Sequence, residues 1–126
     1  MNTIDVLEQV KQKCKKVKPV GKGWYQSIYY HLYLAHKLDK VNGILRITIP
    51  HVAKSSDYKI EKLICAINET NCEVRYIKTI ILPNGSLSIS YDHKIADDEK
   101  ASKIVPHMIN TLYIASECLL LKLQSL

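Results

Sequence analysis

The side chains that could carry out catalysis or bind a metal are few and scattered. His31, His36 and His93 are the histidines that merit weighing. On one expected strand, His31 and His36 point to opposite faces and so do not share a metal ion. His93 follows Asp92 at an expected strand end, where it could position a proton carrier. No nucleophile or third group accompanies it, so a surface or capping role is the simpler assignment. Asp97, Asp98 and Glu99 imitate a carboxylate metal cluster, but the acidic first turn of a helix explains them more simply. There is no GxGxxG, GxxxxGK[ST], HExxH, GxSxG or EF-hand loop. Cys14, Cys65, Cys72 and Cys118 form no CxxC pair and read as reduced structural thiols in helices or at their ends. The expectation is a chain with no cofactor, no metal and no enzymatic chemistry.

What remains is charge. The net charge is +6 with a pI near 9.1, carried by 16 lysines and only Arg46 and Arg75. Arginine is the side chain that reads phosphate and guanine in two-pronged fashion, so this balance argues against a nucleic-acid interface. A Lys-rich nucleic-acid-binding domain is the alternative to a protein-binding one. The densest run holds Lys11, Lys13, Lys15, Lys16, Lys18 and Lys22; its simplest reading is a solvated helix face. Of these, Lys11, Lys15, Lys18 and Lys22 are the candidates for an anionic partner.

The elements that must position these groups follow from periodicity. At 126 residues the chain, 1–126, is expected to be one domain with a sizeable core. No apolar run approaches the roughly 20 residues of a membrane span, and the first residues lack a signal peptide's apolar centre, so a cytoplasmic protein is expected. Ile4, Leu7, Val10, Cys14 and Val17 predict an amphipathic helix over residues 3–16, capped near Asn2 or Thr3. Trp24, Ile28, Tyr30, Leu32 and Leu34 predict one strand over residues 24–38, bent or broken near Gln26 and Ser27. Asn42 and Gly43 predict a two-residue turn that pairs Val41 with Ile44 and Asp39 with Arg46. Ser55, Ser56 and Asp57 start a helix whose stripe is Ile60, Leu63, Ile64 and Ile67, with Asn68 and Asn71 marking its stop. From Val74 the period becomes two, and Pro83-Asn84-Gly85 predicts a hairpin with a bulge at Gly85 that sets Thr79 and Ile81 beside Leu87 and Ile89. A further helix begins at Asp97–Glu99, and Pro106 opens the last one, whose apolar face includes Val105, Met108, Ile109, Leu112, Ser116, Leu119, Leu120 and Leu123.

The first hairpin strand is apolar on both sides. With one side under the helices, Val74, Tyr76, Ile80 and Leu82 emerge on the other, joined by Tyr25, Tyr29 and Tyr33 if the first strand lies in the same sheet. A Tyr-rich face of this kind has the composition of an interface, and a homodimer fills it most simply.

The run LRITIP at residues 45–50, KLICAINETN at 62–71, VRYIKTIILPNGSLSISYD at 74–92 and a long amphipathic C-terminal helix resemble the YbjN-like family, which looks like type III secretion chaperones in fold. The resemblance covers nearly the whole chain; the AINETN segment before a PNG hairpin is its most specific part. It implies an α+β domain in the order α-β-β(-β)-α-β-β-α, with helices mainly on one face of a twisted antiparallel sheet. It further implies frequent dimers, no known active site, and a role in binding other proteins or in regulation.

Overall fold

The computed structural model describes residues 1–125. The chain is α+β; the described residues form three α-helices and a six-stranded sheet in the order β1-β2-β3-β4-β6-β5, each neighbouring pair antiparallel. Helix α1 (Thr3–Lys13) begins at a capping box: the Asn2 side chain accepts from the Asp5 N–H, and the Asp5 carboxylate accepts from the Asn2 N–H. It ends earlier than the spacing predicts. Cys14 is already extended, and Lys15–Gly21 form the edge strand β1, so Lys15, Lys16 and Lys18 of the lysine run sit on a sheet and only Lys11 and Lys13 on a helix. Lys22 and Gly23, both at positive φ, turn the chain into β2 (Trp24–Tyr29), the pattern of a type I′ turn.

Residues 24–38 are two strands. The chain reverses at Tyr30 and His31, so that Tyr29 pairs with Leu32, Ser27 with Leu34 and Tyr25 with His36 on β3 (Leu32–Asp39). The next connection is a four-residue loop, not a two-residue turn. The Asp39 carboxylate accepts from the N–H groups of Val41 and Asn42 and from the Asn42 amide, which pulls the turn forward. Strand β4 (Ile44–Lys54) therefore pairs Asp39 with Ile44 and Leu38 with Leu45. This register is shifted by two from the expected one, so every side chain keeps its face.

Ser55–Asp57 form a 3-10 turn, and helix α2 (Ile60–Glu73) starts only at Ile60, without a side-chain cap. It buries Leu63, Ala66 and Thr70, while Ile60 and Ile64 of the expected stripe are exposed. Asn71 does not stop it; its amide instead bonds both the N–H (2.8 Å) and the carbonyl (3.3 Å) of Thr79 on the neighbouring strand. Strands β5 (Ile77–Ile81) and β6 (Ser86–Lys94) pair Thr79 with Ile89 and Ile81 with Leu87, the register expected from the bulge. The Gly85 N–H donates to the Leu82 carbonyl at 2.9 Å, with Gly85 at φ 86°, which closes the turn where only glycine is unstrained.

Asp97, Asp98 and Glu99 lie in the loop before helix α3 (Ala101–Gln124) and do not form its first turn. Pro106 neither breaks nor begins this helix but lies inside it. It sits near the start, so one interior hydrogen bond, to the exposed Ser102, is lost. α3 is long and apolar enough to span a membrane, yet Val105, Met108, Ile109, Leu112, Ala115 and Leu119 are buried in the core with Leu45, Ile47, Ile49, Leu87 and Ile89. Each of these side chains other than that of Ala115 contributes about 1.5–3 kcal/mol. α3 contacts β4, β5 and β6, α2 contacts β5, and α1 contacts α3 and β1. All three helices thus cover one face.

Candidate interaction surface

The cross-strand pairs assign the opposite, helix-free face row by row. One row runs Lys18, Gln26, Ala35, Thr48, Ser90, Lys78 across all six strands. A second holds Lys15, Ile28 and Tyr33 at one side and Ser88 with Ile80 at the other. A third sets Lys37, Arg46 and Asp92 together. The middle of the face is low and polar. Thr48 Oγ1 lies 2.9 Å from Ser90 Oγ and 3.3 Å from Ser88 Oγ, and Ser88 Oγ donates to the Ile49 carbonyl at 3.0 Å. These hydroxyls satisfy one another, which keeps the trough from needing a cover.

Around the trough stand aromatic and basic side chains. Trp24 opens β2 above a hollow of about 420 Å³ shared with Lys37, Asp39, Ile44, Arg46 and Asp92. Arg46 holds Asp92 through two parallel bonds, Nε to Oδ1 at 2.6 Å and Nη2 to Oδ2 at 2.7 Å. That pairing lowers the Asp92 pKa and fixes the guanidinium, although an exposed pair contributes at most about 1 kcal/mol to stability. Asp39, whose pKa is lowered chiefly by the Asn42 amide, is engaged in its own loop. The two carboxylates on this face thus have partners, whereas Lys15, Lys18, Lys37 and Lys78 form no ion pair among the described residues.

The seven residues expected to share one apolar patch do not. The turn at Tyr30 and His31 exchanges odd for even positions between β2 and β3, so Tyr25 and Tyr29 face the helices while Tyr33 faces away. Tyr25 stacks on His36 at 5.3 Å, and Tyr29 meets Tyr113 of α3 edge-on at 5.8 Å. Tyr76, at φ 72°, stacks on Tyr91 at 5.8 Å and approaches His107, again on the helix side. Val74 ends α2 and packs against the core, and Leu82 belongs to the hairpin turn. Tyr33 and Ile80 lie on the helix-free face, exposed by 59% and 41% but separated by two strands. Of the lysine candidates, Lys15 and Lys18 are on this face beside Ile28 and Gln26, Lys11 is on α1, and Lys22 is in the β1–β2 turn.

Periodicity missed Trp24, Ile28, Lys37 and Arg46 as members of this surface. The signal available was parity: once Leu34 and Ile47 face inward, Tyr33, Lys37, Arg46 and Thr48 must face outward.

The histidines and cysteines do not converge either. His36 is buried (2% exposed) with no protein partner for Nε2, and burial lowers its pKa to about 4. His31, in the turn, approaches Glu117, and His93 Nε2 lies 3.0 Å from Glu99, whose other role is to accept from the Ala96 N–H. The cysteines sit in helices or at their ends as expected, with Cys14 buried at the end of α1, Cys65 and Cys72 exposed on α2 and Cys118 half-buried on α3. Among the described residues, no three or more His, Cys, Asp or Glu side chains are grouped to hold a metal ion.

No family model and no curated protein matches the chain. A solved structure, described as that of an uncharacterized protein from Methanothermobacter thermautotrophicus, is similar in fold. It has a TM-score of 0.60 and 12% identity over 94% of each chain. At that identity the likeness concerns the fold alone.

Proposed function

We propose that the chain is a non-enzymatic protein-interaction module of YbjN-like, chaperone-like type, which receives an acidic, partly apolar segment of a partner protein on the helix-free face of its sheet. The observation that carries this reading is the make-up of that face: Trp24, Ile28 and Tyr33 interleaved with Lys15, Lys18 and Lys37, the carboxylates there already engaged. Aromatic anchors supply contact area, and the unpaired lysines select for negative charge. Trp24 is the sole tryptophan and reports occupancy through its emission. A short peptide alternating Glu with Leu should shift that emission saturably at about 150 mM salt, and a Lys/Leu peptide should not. Lys37→Glu combined with Tyr33→Ser should abolish the shift while leaving the circular dichroism unchanged.

The placement of Lys15 and Lys18 beside Ile28 and Gln26 also favours a second reading, a single nucleic-acid strand tracked by lysines and stacked on aromatic rings. Oligouridylate binding that falls steeply between about 50 and 200 mM salt, with no response to the Glu/Leu peptide, would replace the first reading by this one. Silence from both ligands sinks both readings. Self-association belongs to the same proposal: if a second copy occupies part of this face, Ile80→Glu gives a folded monomer by light scattering, and a wild type already monomeric at tens of micromolar rules the dimer out.

A further inference from the structure

Tyr30 occupies a backbone position built for glycine. It is the first of two residues joining β2 to β3, and of that pair it alone has positive φ, at 55°. This is the type II′ hairpin pattern, whose first position glycine fills because any Cβ there is strained. A bulky ring at such a site, 74% exposed, gains nothing from burial that would offset the strain. The ring is nevertheless braced: Tyr29 meets it edge-on at 4.6 Å and Tyr113 lies at 5.6 Å, so it stands up from the surface in a fixed place. Backbone strain that the fold maintains around an exposed side chain is characteristic of ligand-contacting positions.

Beside it is a hollow of about 320 Å³ lined by Gln12, Lys13, Lys15, Ile28, Tyr29 and Tyr30. Two lysines and a glutamine line it beside the tyrosines, with no carboxylate residue among them, at the densest part of the lysine run. Because the hollow adjoins the carbonyl end of α1, which favours cations, the lysine side chains and not the helix backbone supply its attraction for an anion. Two lysines and two tyrosines around one hollow match a ligand with an anionic group attached to a flat ring system. The volume is that of a small-molecule site.

We propose that this corner binds a nucleotide, its phosphate on Lys13 and Lys15 and its base stacked on Tyr30. The nucleotide is either free or the 5′-terminal unit of a strand. The site lies at the edge of the helix-free face and shares Lys15 and Ile28 with the surface proposed above, while Lys13, Tyr29 and Tyr30 belong to it alone.

The test is a titration of the full chain, followed by backbone amide shifts, with adenosine 5′-monophosphate, inorganic phosphate, and a short oligothymidylate with and without a 5′-phosphate. The mononucleotide should move the amides of residues 12–15 and 28–31 saturably, and phosphate alone should act far more weakly. Equal response to the mononucleotide and the 5′-phosphorylated strand marks a terminal-nucleotide site; response to the mononucleotide alone marks a free-nucleotide site. Tyr30→Gly should weaken binding by roughly tenfold or more, as expected for loss of one base–aromatic stack, while raising the melting temperature because the strain is relieved. Lys13→Ala with Lys15→Ala should weaken it without changing the melting temperature. The proposal is overturned if the mononucleotide gives no saturable shift, if phosphate binds as tightly, or if Tyr30→Gly leaves the affinity unchanged.

Discussion

His36 is a polar ring enclosed by the core side of the sheet, stacked on Tyr25 and opposite Ile47. Its pKa falls to about 4 when folded because burial disfavours the charged form, against about 6.5 when unfolded. Between these values the unfolded chain binds the extra proton. The stabilisation is complete above pH 6.5 and is lost as the pH falls from there to about 4. The whole difference corresponds to about 3 kcal/mol. Denaturant unfolding from pH 7 to 4 should show that decline, and His36→Gln or His36→Leu should flatten it; an unchanged pH profile in both variants assigns the acid sensitivity elsewhere. Parity with Leu32, Leu34 and Leu38 sets His36 inward on β3, opposite the outward Lys37 and Asp39. What the sequence did not mark is that its ring is enclosed without a protein partner for Nε2.

A six-stranded open sheet has two edges on which foreign strands could add, and this one blunts both. β1 carries Lys15, Lys16 and Lys18, a proline at position 19 and two register breaks, with Lys16 at φ 53°. β5 is blunted by α2, since Asn71 occupies the outward N–H and carbonyl of Thr79 in the middle of the strand. Asn71→Ala should cost about 1–2 kcal/mol for the lost pair of bonds and increase concentration-dependent association, measured by sedimentation. A variant as stable and no more associated than the wild type would show that the amide does not guard the edge. The turn and register of the hairpin beside it were readable to the residue, because Pro83, Asn84 and Gly85 each have one conformational role, whereas its first strand begins at Ile77 and not at Val74. The turn at Tyr30 and His31 contains none of the residues that announce turns, and the lysines of β1 suit a helix as well as a strand. Both elements were therefore misread together, and the expected Tyr25, Tyr29, Tyr33 face was misread with them.

At the scale of the molecule, the class of fold was legible because the alternation of helix and hairpin periods leaves few ways to bury the apolar faces. Which residues share the exposed face was not, because that depends on a single two-residue turn. The charge distribution follows from the turn before it, at Lys22 and Gly23. Lys15 and Lys18 come to lie across from Ile28 and Gln26, where they join the sheet's surface and not a helix's.

The strand order also determines what must happen in time. β1 to β4 form a meander of near neighbours and β5 with β6 a local hairpin, but β4 and β6 meet only after α2 has crossed between them, with Ile44 opposite Lys94 and Ile47 opposite Tyr91. Closing that long loop costs chain entropy before any contact is gained, so registration of β4 on β6 is the expected kinetic bottleneck. Ile47→Val and Ile89→Val, each costing about 0.5–1.5 kcal/mol, should then slow refolding. Val6→Ala, in α1, which contacts α3 and β1 away from that seam, should act mainly by speeding unfolding. Stopped-flow chevrons in which Ile47→Val changes only the unfolding limb would move the bottleneck away from this seam.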